Sequence, residues 1–525
     1  MAAPPAGSGR PPGREPQDVL IASAPEAARV RAGAAFLWRR ALIYTHRWLG
    51  IAGCILFVLW FVSGVVMMYA RMPDLSSADR RALMPSLDLT TATATPADVL
   101  WMAGAPVQSV RVGMFGRRPV YRFAARGRWT AAFADDRQWL GDLPREWVLD
   151  EVRRFVPAHS PTVQYDALLT EPDQWTIESR SLLPMHRVAV GDEADTYFYL
   201  SDRTGEPVVK TTRRTRRWAY AGAVVHWIYF TPFRRNGELW AQSIIWASAA
   251  GSLLCLSGLV WGVWRYSPLS RYRLKRVASH TPYAGWMSWH HYAGLLFGFT
   301  TFTWMFSGLL SMDPWNWHPG TAPTRTQREA VSGGPLDLDR VTLAHLRTAV
   351  AALQSAAPKE IELVQFMGEP FALGGGRLVS AVNPERAFGA IGQEEMLGAA
   401  RAAMPGVEVE DAVWLSRYDA YYYDRTGERP LPVLRVRYAD ATRTWLYLDP
   451  GRGAIVRKEE RLSRLNRWLY HGFHSFDFPF LYYRRPLWDI VVVALSIGGL
   501  VSSVTAFEPA WRRLRRHGRR LLRRA

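Results

Sequence analysis

At 525 residues the chain is too long for one hydrophobic core and long enough for two or three domains. Its net charge of +19 could suggest nucleic acid, but the basic residues gather beside apolar runs rather than on one face of a domain, which excludes a nucleic-acid partner and points to membrane topology. Both cysteines, Cys54 and Cys255, lie inside apolar runs, so neither a disulfide framework nor a thiolate metal site can be built from them.

In chain order, residues 1–41 are rich in Pro, Ala, Gly and Arg and read as a disordered basic tail. Residues 42–70 form a first membrane span, with Trp48–Tyr69 free of charge. Residues 71–238 make a first outer domain, 239–264 a second span, and 265–289 a short loop with Arg265, Arg271, Arg273, Lys275 and Arg276. A third span covers 290–312, a second outer domain 313–486, a fourth span 487–507, and a basic tail 508–525. Arg39, Arg40 and Arg47 precede the first span. Positive residues mark the cytoplasmic side, so both termini and the short loop are expected in the cytoplasm and both long segments outside, with the chain in a bacterial inner membrane. Each long segment reads as α+β. Helical periodicity runs through Val148–Phe155 and Leu343–Leu353, strands through Thr196–Leu200 and Val433–Tyr438, and turns fall at 202–205 and 449–453.

Self-similarity sets the expected architecture: four transmembrane helices in two tandem repeats. Thr196-Tyr-Phe-Tyr-Leu, then Gly205, Val208, Lys210, Arg213 and Arg216, returns 248 residues later as Thr444-Trp-Leu-Tyr-Leu, Gly453, Val456, Lys458, Arg461 and Arg464. The first and third spans match at a shift of 244, placing His46, Gly50, Trp60, Ser63 and Gly64 on His290, Gly294, Trp304, Ser307 and Gly308. Each half carries two spans, so the halves are expected to be related by a pseudo-two-fold axis along the membrane normal.

The same shifts pair His46 with His290 and His226 with His474. Two facing imidazoles on neighbouring helices are what axial ligation of a b-type haem requires, and neutral imidazole offers a lone pair with no charge to desolvate. The competing explanation is that interfacial histidines beside Trp and Arg only reach toward water. Gly50, Gly64, Gly294 and Gly308 would leave room for a flat macrocycle. His291 and His471 occur in one half only and are second candidates for the iron. His186 and His318, also unpaired, read as surface or substrate-side residues, and Tyr418, Tyr421, Tyr422, Tyr423 and Arg425 as a cluster that packs a strand or holds an anionic aromatic chelate.

His46-Arg-Trp-Leu-Gly opening a span, Trp468-Leu-Tyr-His-Gly-Phe-His474 before the fourth span, and the Tyr447-Leu-Asp-Pro-x-x-Gly453 turn resemble the PepSY-associated transmembrane family, over about Leu42 to Glu508. That resemblance implies periplasmic PepSY-like domains, one or two b haems on His46, His226, His290 and His474, and, as in some iron-regulated members, one-electron reduction of a periplasmic ferric siderophore or other ferric chelate. The chain has no Gly-x-Gly-x-x-Gly fingerprint and no cysteine cluster, so a quinol or a separate reductase is expected as donor. The alternative is a membrane-anchored binding or regulatory protein without redox activity. A transporter is disfavoured because no span interior holds an ionisable acid or base.

Overall fold

The computed structural model describes residues 24–104, 107–274, 277–353, 358–425 and 427–522. Residues 1–23 and 523–525 of the two tails, and Lys275 and Arg276 of the basic loop, lie outside the described residues. Four helices are long and apolar enough to cross a membrane: Leu37–Met67, Gly237–Arg265, Trp286–Leu310 and Leu487–Arg520. The last breaks at Ala506 into Leu487–Thr505 and a basic helix, Phe507–Leu522. The first helix begins at Ala24, well inside the stretch read as disordered, because Ala24–Ala35 is rich in alanine, the strongest helix former.

The spans pack as a ring in the order one, two, three, four, so the first and third face each other across the bundle axis. Without a hydrophobic drive between helices in lipid, close approach depends on small residues. Ser63, Ser248, Ser257, Ser307 and Ser496 are buried between the spans, and a methyl on Gly251 would meet Met305 Sδ at 2.8 Å.

The two outer segments share one eight-stranded antiparallel sheet, four strands from each. They join where Ser109–Phe115 pairs with Ile361–Phe366, with Val110 opposite Leu363, Arg111 opposite Glu362 and Val112 opposite Ile361. Val110, Val112, Ile361 and Leu363 are fully buried in one core built from both segments. Each such side chain stabilises the junction by about 1.5–3 kcal/mol. The outer domains expected as separate units are therefore joined into one.

Each segment also carries a four-stranded meander: Gln164–Leu169, Met185–Ala189, Tyr197–Ser201 and Pro207–Thr211 in the first, and Val409–Leu415, Val433–Tyr438, Trp445–Asp449 and Ala454–Glu459 in the second. The helices expected from periodicity are present at Arg145–Phe155 and Leu343–Ala352. Each meander ends in a chain that returns to the bundle through a helix, a wider π-type turn and a single helical turn. These are Arg213–Ala219, Tyr220–Val224 and Val225–Trp227 in the first, and Arg461–Asn466, Arg467–Gly472 and Phe473–Ser475 in the second.

Candidate functional site

At one end of the bundle His46 and His290 face each other across its axis, with ring centres 6.1 Å apart. Each ring is held from behind by the next helix in the ring. His46 Nδ1 lies 3.0 Å from the Leu254 carbonyl, and His290 Nδ1 lies 2.8 Å from the Ser502 carbonyl. A carbonyl accepts only, so Nδ1 carries the proton and the Nε2 lone pair is left free.

The second pair is placed by the single helical turns that follow the π-type segments. His226 and His474 have ring centres 6.2 Å apart. Each turn stops at a residue in the left-handed region, Ile228 and Phe476, which sends the chain away just after the histidine. Two indoles fix the turns from the spans, Trp240 Nε1 donating to the Trp227 carbonyl and Trp488 Nε1 to the Ser475 carbonyl, both at 3.0 Å. His226 Nδ1 sits 3.3 Å from both Ser63 Oγ and the Trp60 carbonyl, and His474 Nδ1 3.0 Å from Ser307 Oγ. Again Nε2 is the free nitrogen. Burial pushes the His226 imidazole down to about 4, and burial together with the neighbouring His226 brings His474 to about 3. Both are neutral near pH 7.

Each pair lines a cavity. The His46 cavity, about 400 Å³, is walled by Gly50, Gly258, Gly294, Gly298 and Gly499, with Arg47 and Arg513 at its rim. The His226 cavity, about 490 Å³, is walled by Trp60, Phe61, Gly64, Trp304 and Gly308, with Arg71, Glu178, Arg425 and Arg485 among its polar residues. Phe57 and Thr301 line both cavities, so the two are separated by a thin wall of side chains. The 17 residues from His46 to Ser63 rise about 25 Å at 1.5 Å each. Ser63 is bonded to His226, so the two pairs stand at opposite ends of the bundle.

The second candidates behave differently. Both nitrogens of His291 are occupied, Nδ1 by Thr281 Oγ1 at 2.7 Å and Nε2 by the Gly262 carbonyl at 2.8 Å, so no lone pair is left for a metal. His471 packs on Tyr470, with ring centres 4.4 Å apart, and is not among the residues lining the His226 cavity. His186, expected near the surface, is buried between Tyr165 and Asp202. His318 bonds Asn466 and the Pro319 carbonyl. The tyrosine run is mostly packing: Tyr422 stacks on Tyr447, and Tyr423 donates to Asp477. Arg425 pairs with that same Asp477 and is the member of the run that reaches the cavity.

Sequence reasoning did not find Gly258, Gly298, Gly499, Arg47 or Arg513 as cavity residues. Gly258 has a signal only in retrospect, as the small residue one turn beyond Leu254, the partner of His46.

Among the described residues no three His, Cys, Asp or Glu side chains converge on a bare metal ion. A planar metal complex that brings its own equatorial donors needs only two. Imidazole nitrogens bind metals at about 2 Å and lie roughly 1 Å from the ring centre, so two imidazoles capping one ion end-on have centres roughly 6 Å apart. Both pairs have that spacing. Trp304 Nε1, buried in the wall of the second cavity, has no hydrogen-bond partner among the described residues. The residues present fit two bis-imidazole haem sites. No protein-family model matches the chain, and no curated protein matches it.

Proposed function

We propose that this chain is a di-haem b protein of a bacterial inner membrane that carries electrons from the cytoplasmic side to a periplasmic acceptor. The observation that supports this most directly is the geometry of the two histidine pairs: ring centres 6.1 and 6.2 Å apart, Nδ1 anchored and Nε2 free. The resemblance to the PepSY-associated transmembrane family rests on the motifs quoted above and points the same way.

Duplication supports it as well. The partners of the first pair, Leu254 and Ser502, stand 248 residues apart, as do His226 and His474, and the central strand pair of the large sheet takes one strand from each half. A pseudo-two-fold axis along the membrane normal accounts for all three. The basic flanks support a cytoplasmic position for the His46 cavity, and the outer segments are the proposed periplasmic PepSY-like domains.

Haem iron, when bound, supplies a one-electron couple. The protein does the rest. His46 and His290 would hold one macrocycle, and His226 and His474 the other. The carbonyls of Leu254 and Ser502, and the hydroxyls of Ser63 and Ser307, keep the rings aimed and raise their basicity. Phe57, Phe61, Trp60 and Trp304 exclude water between the two sites. Arg47 and Arg513 lie close enough to interact and have no ion-pair partner among the described residues, so they suit the carboxylates of the cofactor. Arg71 and Arg485 at the other mouth suit an anionic acceptor, and a ferric siderophore or ferric chelate is the proposed one. One electron releases iron from a hard-oxygen chelator, which holds the ferric ion far more tightly. A quinol or a separate reductase is the proposed donor.

The test is a dithionite-reduced minus oxidised spectrum of purified protein with a pyridine haemochrome count, expected to give two haems per chain. Protein from haem-replete cells without a Soret band would remove the redox reading and leave a membrane-anchored binding protein.

A further inference from the structure

Beyond the bundle, the basic helix Phe507–Leu522 has two unlike faces. At 100° per residue, Phe507, Ala510, Trp511, Leu514, Gly518 and Leu522 fall within an arc of about 120°, Arg512, Arg516, Arg519 and Arg520 fill the opposite side, and Arg515 borders the arc. The outer part of this arc is uncovered, Trp511 being 67% exposed, Leu514 45% and Leu522 81%, while Phe507, Ala510 and Gly518 are half-buried.

The direction of this helix follows from two contacts. Ser502 lies level with His290 and therefore with His46. Continued straight, fifteen further residues would carry position 517 about 22 Å beyond that level. Instead His517 packs edge-on against Trp48, two residues from His46, with ring centres 5.8 Å apart. The helix has turned at Ala506 and lies across the end of the bundle. Pro509, Ala510 and Arg513 meet the cavity there. One flank thus touches protein, while Trp511, Leu514, Leu522 and the arginines are exposed.

We propose that Phe507–Leu522 is an interfacial helix that docks on anionic phospholipid headgroups. Its apolar arc enters the hydrocarbon boundary, and Arg515, Arg516, Arg519 and Arg520 bind the headgroup phosphates. Charge complementarity and continuity with a span select this occupant over another protein. Because Arg513 belongs to both the helix and the cavity rim, docking also holds that rim in place.

The test is hydrogen exchange of peptides covering 507–522, on the full chain in nanodiscs of phosphatidylcholine alone and of phosphatidylcholine with phosphatidylglycerol. A surface arginine near an anionic leaflet contributes about fivefold in affinity, so exchange should slow at least fivefold with phosphatidylglycerol. The R515Q/R516Q/R519Q/R520Q variant keeps helix preference and should lose that difference. Equal exchange of the parent in both lipids, or a lipid effect retained by the variant, would overturn the proposal. Protection that instead rises with protein concentration at fixed lipid composition would assign the face to a second copy of the chain.

Discussion

Replacing Gly258 by alanine tests the ligand geometry with one methyl group. The new Cβ would lie 2.5 Å from His46 Cε1 and 2.8 Å from its Nδ1. Carbon atoms in ordinary contact stand about 3.5–4 Å apart, so the ring must retreat by roughly 1 Å. Retreat breaks the Nδ1 bond to the Leu254 carbonyl, a loss of about 0.5–1.5 kcal/mol, and overpacking adds about 1–3 kcal/mol. Alanine is favoured over glycine in a helix by only about 0.5–1 kcal/mol, which does not offset this. Displacing a group that orients a ligand typically weakens metal binding by about 10- to 100-fold. Two further glycines grade the effect. A Cβ at Gly64 would meet His226 Cε1 at 3.2 Å, and one at Gly308 would meet His474 Cε1 at 3.9 Å. Haem loss to excess apomyoglobin, followed in the Soret band, should therefore be fastest for Gly258→Ala, modestly raised for Gly64→Ala and parental for Gly308→Ala. In Gly258→Ala only the His46 site should empty. Parental haem retention by Gly258→Ala, or earlier loss from Gly308→Ala, would refute the assigned ligand positions.

Substituting the histidines separates the pairs: His46→Ala or His290→Ala should cost one haem, His226→Ala or His474→Ala the other, and His291→Ala or His471→Ala neither, all read by haemochrome count. A haem lost from either of the last two would overturn the pairing. Because burial keeps His226 and His474 neutral, uptake of haemin by that site in apoprotein should be flat from about pH 8 to pH 5 and begin to fail only as His226 protonates at about 4, in a direct titration. In proteoliposomes with an inside donor, His46→Ala should stop reduction of an outside ferric chelate, yet leave the other haem reducible by dithionite added outside. A parental rate would show that electrons do not cross through the two sites. Reporter fusions after Arg71 and Pro314 should read as periplasmic and fusions after Arg512 as cytoplasmic; the opposite pattern would reverse the orientation.

The spans were legible because charge-free runs of this length have few other uses. The facing of His46 with His290 and of His226 with His474 was legible because similar local sequence recurs at a fixed shift within one chain. His290 and His291 could not be told apart in the same way, since adjacent residues share every local feature. What separates them is the Gly262 carbonyl, 29 positions away in sequence, which takes the second nitrogen of His291. The helix Ala24–Met67 was missed at its start because proline and glycine near an alanine-rich stretch masked its helix preference. The junction between Ser109–Phe115 and Ile361–Phe366 lay beyond local reasoning, because edge pairing between strands 250 residues apart leaves no periodicity of its own.

That junction bears on how such a molecule could have arisen. On the proposed duplication, strand 109–115 meets the matching strand 361–366 of the other half antiparallel, as a surface meets itself in an isologous dimer. Each histidine pair likewise takes one member from either half. A single half, two spans and one outer segment long, would hold only one ligand of each site. Joined edge to edge with its own copy, it would complete both at once. On the proposed duplication, both proposed sites would have stood at the interface between two copies before fusion made that interface internal to one chain.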